Sequence, residues 1–325
     1  MNTHFDLIAI GGGSGGLAVA ERAAQYGKRV AIVESRKLGG TCVTNGCVPT
    51  KIKWYAANLA HAVDDAADFG ISATREITDW EKLVAGREAY ISRINRYWDN
   101  YVVDSGVVRI DGTARFIDAR TIEVEGRRYT ADHIAIATGG RPIVPPVPGA
   151  ALGITSDGFF ALTAQPRNVA IIGAGYIGVE FAGVLRALGS TVTLVALEGR
   201  VLEHFDDMIS DVLVGEMHKQ GIATRLGFQV AGLAQTAQGI ALDASDGQRL
   251  DGFDTVIWAV GRAPNTHGLD LHKAGIETRA NGIVPTDEAQ NTNVPGIYAL
   301  GDITGRTPLT PVAIAAGRRL AARLF

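Results

Sequence analysis

FDLIAIGGGSGGLAVAERAAQYGKRVAIVE, Phe5 to Glu34, decides how this 325-residue chain folds. The apolar run Phe5 to Ile10 reads as a buried strand and feeds the turn Gly11-Gly12-Gly13-Ser14-Gly15-Gly16. The pattern predicts a helix over Leu17 to Tyr26 and a second strand over Arg29 to Val33, ending in Glu34, eighteen residues past Gly16. Each part has a physical reason. Glycines let the backbone close on a pyrophosphate, a helix N-terminus offers it free N–H groups, and an acid at the second strand tip accepts hydrogen bonds from a ribose. Strand, glycine turn, helix, strand and acid in that order point to a dinucleotide rather than to a plain turn.

The same order returns. Asn168 to Ile172 is an apolar strand, Gly173-Ala174-Gly175-Tyr176-Ile177-Gly178 a glycine turn, Val179 to Leu188 a helix, and Thr191 to Leu197 a strand ending at Glu198, twenty residues past Gly178. Two such units imply two dinucleotides, and a tightly held flavin with an exchangeable nicotinamide is one pair that fits. The expected fold is α/β, with two Rossmann-like dinucleotide-binding domains. Punctuation marks their edges. Ala137-Thr138-Gly139-Gly140-Arg141-Pro142 and the proline-rich Val144 to Gly149 lead out of the first domain, and Trp258 to Asn265, containing Gly261 and Arg262, leads out of the second. A further buried strand then runs from Val294 through Gly301 to Asp302, an acid at its tip, and Pro311 to Phe325 forms a helix. The second domain is therefore inserted into the first, with parts at 1–148, 149–264 and 265–325.

Composition narrows the function. With 46% apolar residues, 40 glycines and a formal charge of −3, the chain can bury large cores, and its balanced charges give no nucleic-acid surface. The N-terminus has no basic leader and no span long enough for a membrane, which predicts a cytoplasmic protein. Its only two cysteines, Cys42 and Cys47, lie within GGTCVTNGCVPTK, Gly39 to Lys51. In a reducing compartment a close pair is redox-active or metal-binding. Zinc and iron–sulfur centres want four ligands, and none of the seven histidines stands at ligand spacing, so no metal is expected. Two buried thiols are disfavoured by the polar company of Thr41, Thr44, Asn45 and Lys51. Pro49 and the apolar positions Ile52, Tyr55, Ala56 and Leu59 predict a helix that starts near Cys47, where exposed amides favour a thiolate.

GGTCVTNGCVPTK, IIGAGYIGVE, WAVGRAPN, YALGDITG and LTPVAIAAGRRLA together resemble the pyridine nucleotide-disulfide oxidoreductases, most of all the glutathione reductase branch. The resemblance runs from Phe5 to Phe325. It implies FAD in the first fold, held by Gly11, Gly13, Ser14, Gly15, Gly16, Glu34, Gly40, Thr41, Ala114, Thr138, Gly139, Gly301, Asp302 and Thr310. It implies that Cys47 faces the flavin as the charge-transfer thiol while Cys42 attacks the substrate disulfide. In the second fold it implies nicotinamide contacts from Gly173, Gly175, Tyr176, Ile177, Gly178, Glu180, Glu198, Gly261 and Arg262, with Glu180 paired to a lysine near the flavin.

Three departures from that branch carry information. Thr50-Lys51 stands where glutathione reductases have two lysines, as in lipoamide dehydrogenases, leaving Lys51 as the partner of Glu180. Leu197, Glu198 and Glu203 stand where NADPH-dependent members hold a 2′-phosphate with basic residues, which predicts NADH in preference to NADPH. Glu21, seven residues past Ser14, replaces an arginine that meets a glutathione carboxylate, and Trp98 replaces a tyrosine. Arg318 keeps the position that meets the glutamyl end. This pattern is similar to glutathione amide reductases, although Glu21 reads equally well as an exposed helix residue. Family members also continue into a dimerisation domain with a His-Glu pair, which predicts a homodimer for them, a doubtful dimer for this chain and impaired thiol exchange. The expected activity is reduction of a small glutathione-type disulfide. The alternatives are a diaphorase-like NADH:acceptor flavoprotein, a lipoamide dehydrogenase-like enzyme, or a non-catalytic FAD-binding module.

Overall fold

The computed structural model describes residues 3–325, which fall into two compact units. The first comprises residues up to Cys47, Tyr90–Arg141 and Ala263–Phe325. Its centre is a seven-stranded sheet in which Val108–Asp111, Val30–Glu34, His4–Ile10 and Arg127–Ile136 lie side by side in parallel. The long Arg127–Ile136 strand also takes Ile297–Ala299 in parallel and Thr121–Val124 antiparallel, with Ala114–Phe116 outermost. The apolar runs are continuous because both faces of this sheet are covered. Ile8, Ile10, Ala31 and Val33 enter one core, while Leu7, Ala9, Val30 and Ile32 enter the other. The helices Ser14–Gln25 and Thr310–Leu324 cross in close backbone contact, since a Cβ on Gly317 would stand 2.7 Å from the Gly15 carbonyl oxygen.

The second unit comprises Val48–Ala89 and Pro142–Arg262. Its parallel sheet runs Ala223–Arg225, Thr191–Val195, Asn168–Ile172, Thr255–Trp258 and Ile154–Thr155, joined by a three-stranded antiparallel sheet, Val230–Thr236, Gly239–Ala244 and Arg249–Phe253. Again one strand serves two cores, with Val169 and Ile171 on one side and Ala170 and Ile172 on the other. The sequence reading counted all of 1–148 with the first domain. Val48–Ala89 groups instead with the second unit because Ala57, Ala60 and Trp80 pack in one core with Phe159, Phe160 and Phe181.

Element positions follow the sequence closely, with shifts at the ends. The strand expected to reach Leu197 stops at Val195, and that expected over Val294 to Asp302 is confined to Ile297–Ala299. The larger correction concerns the helix Cys47–Asp65. Its buried positions are Pro49, Lys53, Ala57 and Ala60, while Tyr55 and Leu59, expected on the apolar stripe, are exposed. Lys53 occupies the inward face because aromatic rings receive it there. Among the described residues no helix is long and apolar enough to cross a membrane, and no group of His, Cys, Asp or Glu could hold a metal ion.

Candidate functional site

In the first unit the strand His4–Ile10 ends in a turn that has no room for side chains. A Cβ on Gly16 would collide with the Gly11 carbonyl oxygen, and one on Gly40 would stand 2.7 Å from the Gly13 Cα. The turn and the Gly39–Gly40 bend thus approach backbone to backbone, and the Ser14–Gln25 helix begins at Gly13 with no side-chain cap on its amides. Glu34 accepts hydrogen bonds from the Gly12 and Arg36 amides at 2.6 and 2.8 Å, which fixes its carboxylate at the strand tip. Uncapped amides, bare backbone and a fixed carboxylate suit a pyrophosphate and a ribose. Around the rim, the Thr138 hydroxyl donates to the Asn265 carbonyl at 2.8 Å, and the Asn265 amide to Gly139 at 2.9 Å. Ala114 is buried in its strand, and Gly301 and Asp302 open a short 3-10 turn.

The dithiol belongs to the same unit. Thr41 and Cys42 lie on the short helix Gly40–Thr44, and Cys47 is the first residue of the next helix. The Cys47 Sγ stands 3.8 Å from Oγ1 of Thr310, itself the first residue of Thr310–Leu324. Cys47 therefore faces the start of two helices, a setting that favours a thiolate. The Cys42 thiol donates its hydrogen bond to Cys47, and this contact, with help from Thr310, outweighs partial burial and brings the Cys47 thiol down to about 6. The same hydrogen bond, reinforced by burial, pushes Cys42 up. At neutral pH the pair is one thiolate and one thiol. Sequence reading placed Thr310 near a cofactor; the structure adds that it touches the sulfur.

Ser14, Glu21, Trp98 and Arg318 are the four residues expected to meet substrate; Ser14 opens the first-turn helix, and the other three are only partly brought together. Glu21 accepts from the Gln25 side chain at 3.1 Å and from the Tyr101 hydroxyl, a bond that holds the Tyr101 phenol above its usual range. Tyr101 in turn meets Trp98 edge to face at 5.7 Å. The cavity beside Glu21 and Tyr101 is about 10 Å³, room for at most one water. Arg318 is exposed on its helix and makes no hydrogen bond to Glu21 or Trp98 among the described residues. Tyr101 escaped the sequence reading; its place one helical turn past Trp98 was the available signal.

The second unit repeats the turn. A Cβ on Gly173 would collide with the Ala259 carbonyl oxygen and one on Gly178 with that of Gly173, whereas Gly175 faces open space. The helix Tyr176–Ala187 starts with the half-exposed Tyr176 and carries Ile177 and Glu180 in its first turns, and Gly261 and Arg262 end the unit. Leu202 donates its amide to the Ala174 carbonyl at 2.9 Å, which pins the loop carrying Glu198 and Glu203 to the glycine turn. Lys51 Nζ lies 4.1 Å from the centre of the Trp54 ring and 5.4 Å from that of Tyr55, so its expected pairing with Glu180 remains a proposal.

Lys53, like Tyr101, escaped the sequence reading. It is 1% exposed, its Nζ has no hydrogen-bond partner, and it sits 3.8 Å from the Phe159 ring centre and 4.2 Å from that of Trp80. Burial pushes its ammonium down to about 7, and the nearby Arg87 guanidinium adds repulsion. Its spacing to Ala57 and Ala60 on one helix face was a legible signal.

Comparison with known proteins now places this geometry. The chain matches the model of "Pyridine nucleotide-disulphide oxidoreductase" over residues 5–317. It is 44% identical over 333 aligned positions to a glutathione reductase of Schizosaccharomyces pombe (strain 972 / ATCC 24843), covering 99% of this chain and 71% of that one. Two structures of RclA, the HOCl-induced flavoprotein disulfide reductase from Escherichia coli, are similar. Its Cu(II) complex matches with a TM-score of 0.90 and 27% identity over 100% of this chain and 71% of that one. A second structure of it matches with a TM-score of 0.87 and 28% identity, over 96% and 69%. The matches cover both glycine turns and the dithiol: this chain belongs to the pyridine nucleotide-disulfide oxidoreductase family.

Proposed function

We propose that the chain is an NADH-dependent reductase of a glutathione-type disulfide, either glutathione disulfide or its amidated form. The observation that carries this reading is the Cys42–Cys47 pair, a thiolate held low beside a thiol held high, at the head of a helix in a family of flavoprotein disulfide reductases. FAD, when bound, supplies the route by which two electrons pass from a nicotinamide to a sulfur pair. The protein's own groups do the rest. Cys42 passes its proton to the Cys47 thiolate as it attacks the substrate disulfide, and the departing sulfur takes that proton from Cys47 and leaves as a thiol. Cys47, again a thiolate, attacks the mixed disulfide, closing the Cys42–Cys47 bond and releasing the second thiolate, which solvent protonates. Two electrons and one proton from NADH restore the thiol–thiolate pair, so one NADH and one solvent proton are consumed for each disulfide cleaved.

Glu34 is assigned to the FAD ribose, Asp302 and Thr310 to its neighbourhood, and Tyr176 and Glu180, with Lys51, to the nicotinamide pocket. Glu198 and Glu203 are assigned to a free 2′-hydroxyl, because their carboxylates repel a 2′-phosphate. Glu21, oriented by Tyr101 and Gln25, is assigned to a neutral amide terminus, and Ser14, Trp98 and Arg318 to the remainder of the disulfide. The test is steady-state oxidation of NADH and NADPH with each disulfide as acceptor. The reading expects NADH to be favoured about tenfold to a hundredfold in kcat/KM, the effect of an uncompensated charge contact. Glu198→Arg with Glu203→Arg shifts that ratio toward NADPH. Equal or better use of NADPH by the unaltered protein contradicts the assignment of both acids.

A further inference from the structure

We infer that Asp207 and Asp211 govern the choice between the two nicotinamide dinucleotides indirectly, by holding the Arg200 guanidinium away from a 2′-phosphate. The inference rests on the assignment of Glu198 to the ribose. Between the strand Thr191–Val195 and the helix Asp207–Lys219 runs a loop with three acids, Glu198, Glu203 and the helix-capping Asp206, and a single arginine or lysine, Arg200. The loop has a fixed place. Leu202, held at φ 53°, donates its amide to Ala174 inside the second glycine turn, and its own carbonyl accepts from the Phe205 amide at 2.8 Å. Arg200 is thereby two residues from an anchor on the turn that would carry the dinucleotide.

An arginine there is the residue type that binds phosphate well, through its planar fork of donors. Yet this fork is taken up. One terminal nitrogen pairs with the Asp207 carboxylate, and the other donates to the Asp207 carbonyl at 2.6 Å and to the Asp211 carboxylate at 2.9 Å. All three acceptors lie in the first turns of one helix, so the side chain is drawn toward that helix. The acids of the loop then act without a cation to offset them. Asp207 and Asp211 are positioning residues in this scheme, and Arg200 is a latent phosphate ligand.

The experiment uses the flavin-loaded chain and calorimetric titration with 2′-AMP and 5′-AMP, which differ only in where the phosphate sits. Asp207→Asn with Asp211→Asn removes the clamp charges while Asp206, which caps the Met208 amide at 2.9 Å, is left in place to hold the helix. The double variant is expected to bind 2′-AMP about threefold to thirtyfold more tightly, with 5′-AMP unchanged, and Arg200→Ala on that background abolishes the gain. In the unaltered chain Arg200→Gln leaves 2′-AMP affinity unchanged. No gain in the double variant, a gain that survives loss of Arg200, or a loss of 2′-AMP binding in Arg200→Gln each overturns the inference. The ribose assignment stands or falls separately, on whether the unaltered chain discriminates against 2′-AMP.

Discussion

The two glycine turns are built alike and finished differently. In both, the first and last glycines cannot accept a Cβ because a backbone carbonyl occupies the space. At the middle glycine they part, since Gly13 faces Gly40 of a second loop and Gly175 faces nothing. They part again two residues on. Gly15 lies against Leu300 and Ala313, whereas the equivalent position in the second turn holds Ile177. The acids differ too: the Glu34 carboxylate is held by two amides, while Glu198 uses its backbone carbonyl to accept from Gly227. A turn enclosed by its own chain suits a dinucleotide that stays, and an open one suits a dinucleotide that comes and goes. That difference supports the proposal that FAD occupies the first turn and the nicotinamide dinucleotide the second.

The largest effect tests the chemistry that only the first fold carries. Cys42→Ser leaves Cys47 in place and removes the attacking thiol, so disulfide-dependent NADH oxidation is expected to fall about a thousandfold or more. Turnover retained within tenfold would remove Cys42 from the role. Next comes packing. Gly15→Ile, which copies the second turn into the first, drives a branched side chain into Leu300 and Ala313 and is expected to cost about 3 kcal/mol or more in urea unfolding, with loss of flavin. The reciprocal Ile177→Gly costs less than that, and equal costs would erase the contrast between the turns.

A smaller effect, of opposite sign, is expected in the second unit. Lys53→Met replaces a buried, unpartnered ammonium by an apolar chain of similar length, and stability at pH 7 should rise by roughly 1 to 4 kcal/mol. The sign with pH follows from the depressed value of about 7. Between there and the ordinary lysine range near 10.4 the unfolded chain binds the extra proton, so the contribution of Lys53 grows more favourable as pH rises. The advantage of the Met variant is therefore greatest at or below neutrality and shrinks toward pH 10. An advantage that does not vary with pH would show that Lys53 is not titrating in its cage. The smallest effect belongs to Thr310→Val, which removes one hydrogen bond to Cys47. The ultraviolet titration of the thiolate should move up from about 6 by about half a pH unit to one, with disulfide turnover at acidic pH reduced in step. An unmoved titration would show that Thr310 does not lower Cys47, leaving the Cys42 contact and the backbone amide at the helix start as the causes.

How far this was legible in the sequence depends on the range of the interactions involved. The two dinucleotide folds were readable because each is local, a strand, a turn, a helix and an acid within about thirty residues. The Cys42–Cys47 window was readable for the same reason. Thr310 against Cys47 was not, because the contact joins residues 263 positions apart. Lys53 was misread through a choice of helix face. Tyr55 and Leu59 are apolar and were expected inside, but the inward face is Pro49, Lys53, Ala57 and Ala60, and only the rings of Trp80 and Phe159 make a lysine tolerable there. Those rings come from distant parts of the chain. The finish of the two turns was hidden likewise, since Leu300 and Ala313 reach Gly15 from the far end of the sequence.

The central claim is that electrons taken from NADH at the open turn reach the dithiol of the enclosed one. Its most direct test is an anaerobic NADH titration of the flavin-loaded chain, followed by visible absorbance. The account predicts a long-wavelength band from the Cys47 thiolate beside the oxidised flavin, abolished in Cys47→Ser while flavin stays bound. Plain bleaching of the flavin with no such band at any point of the titration would contradict it.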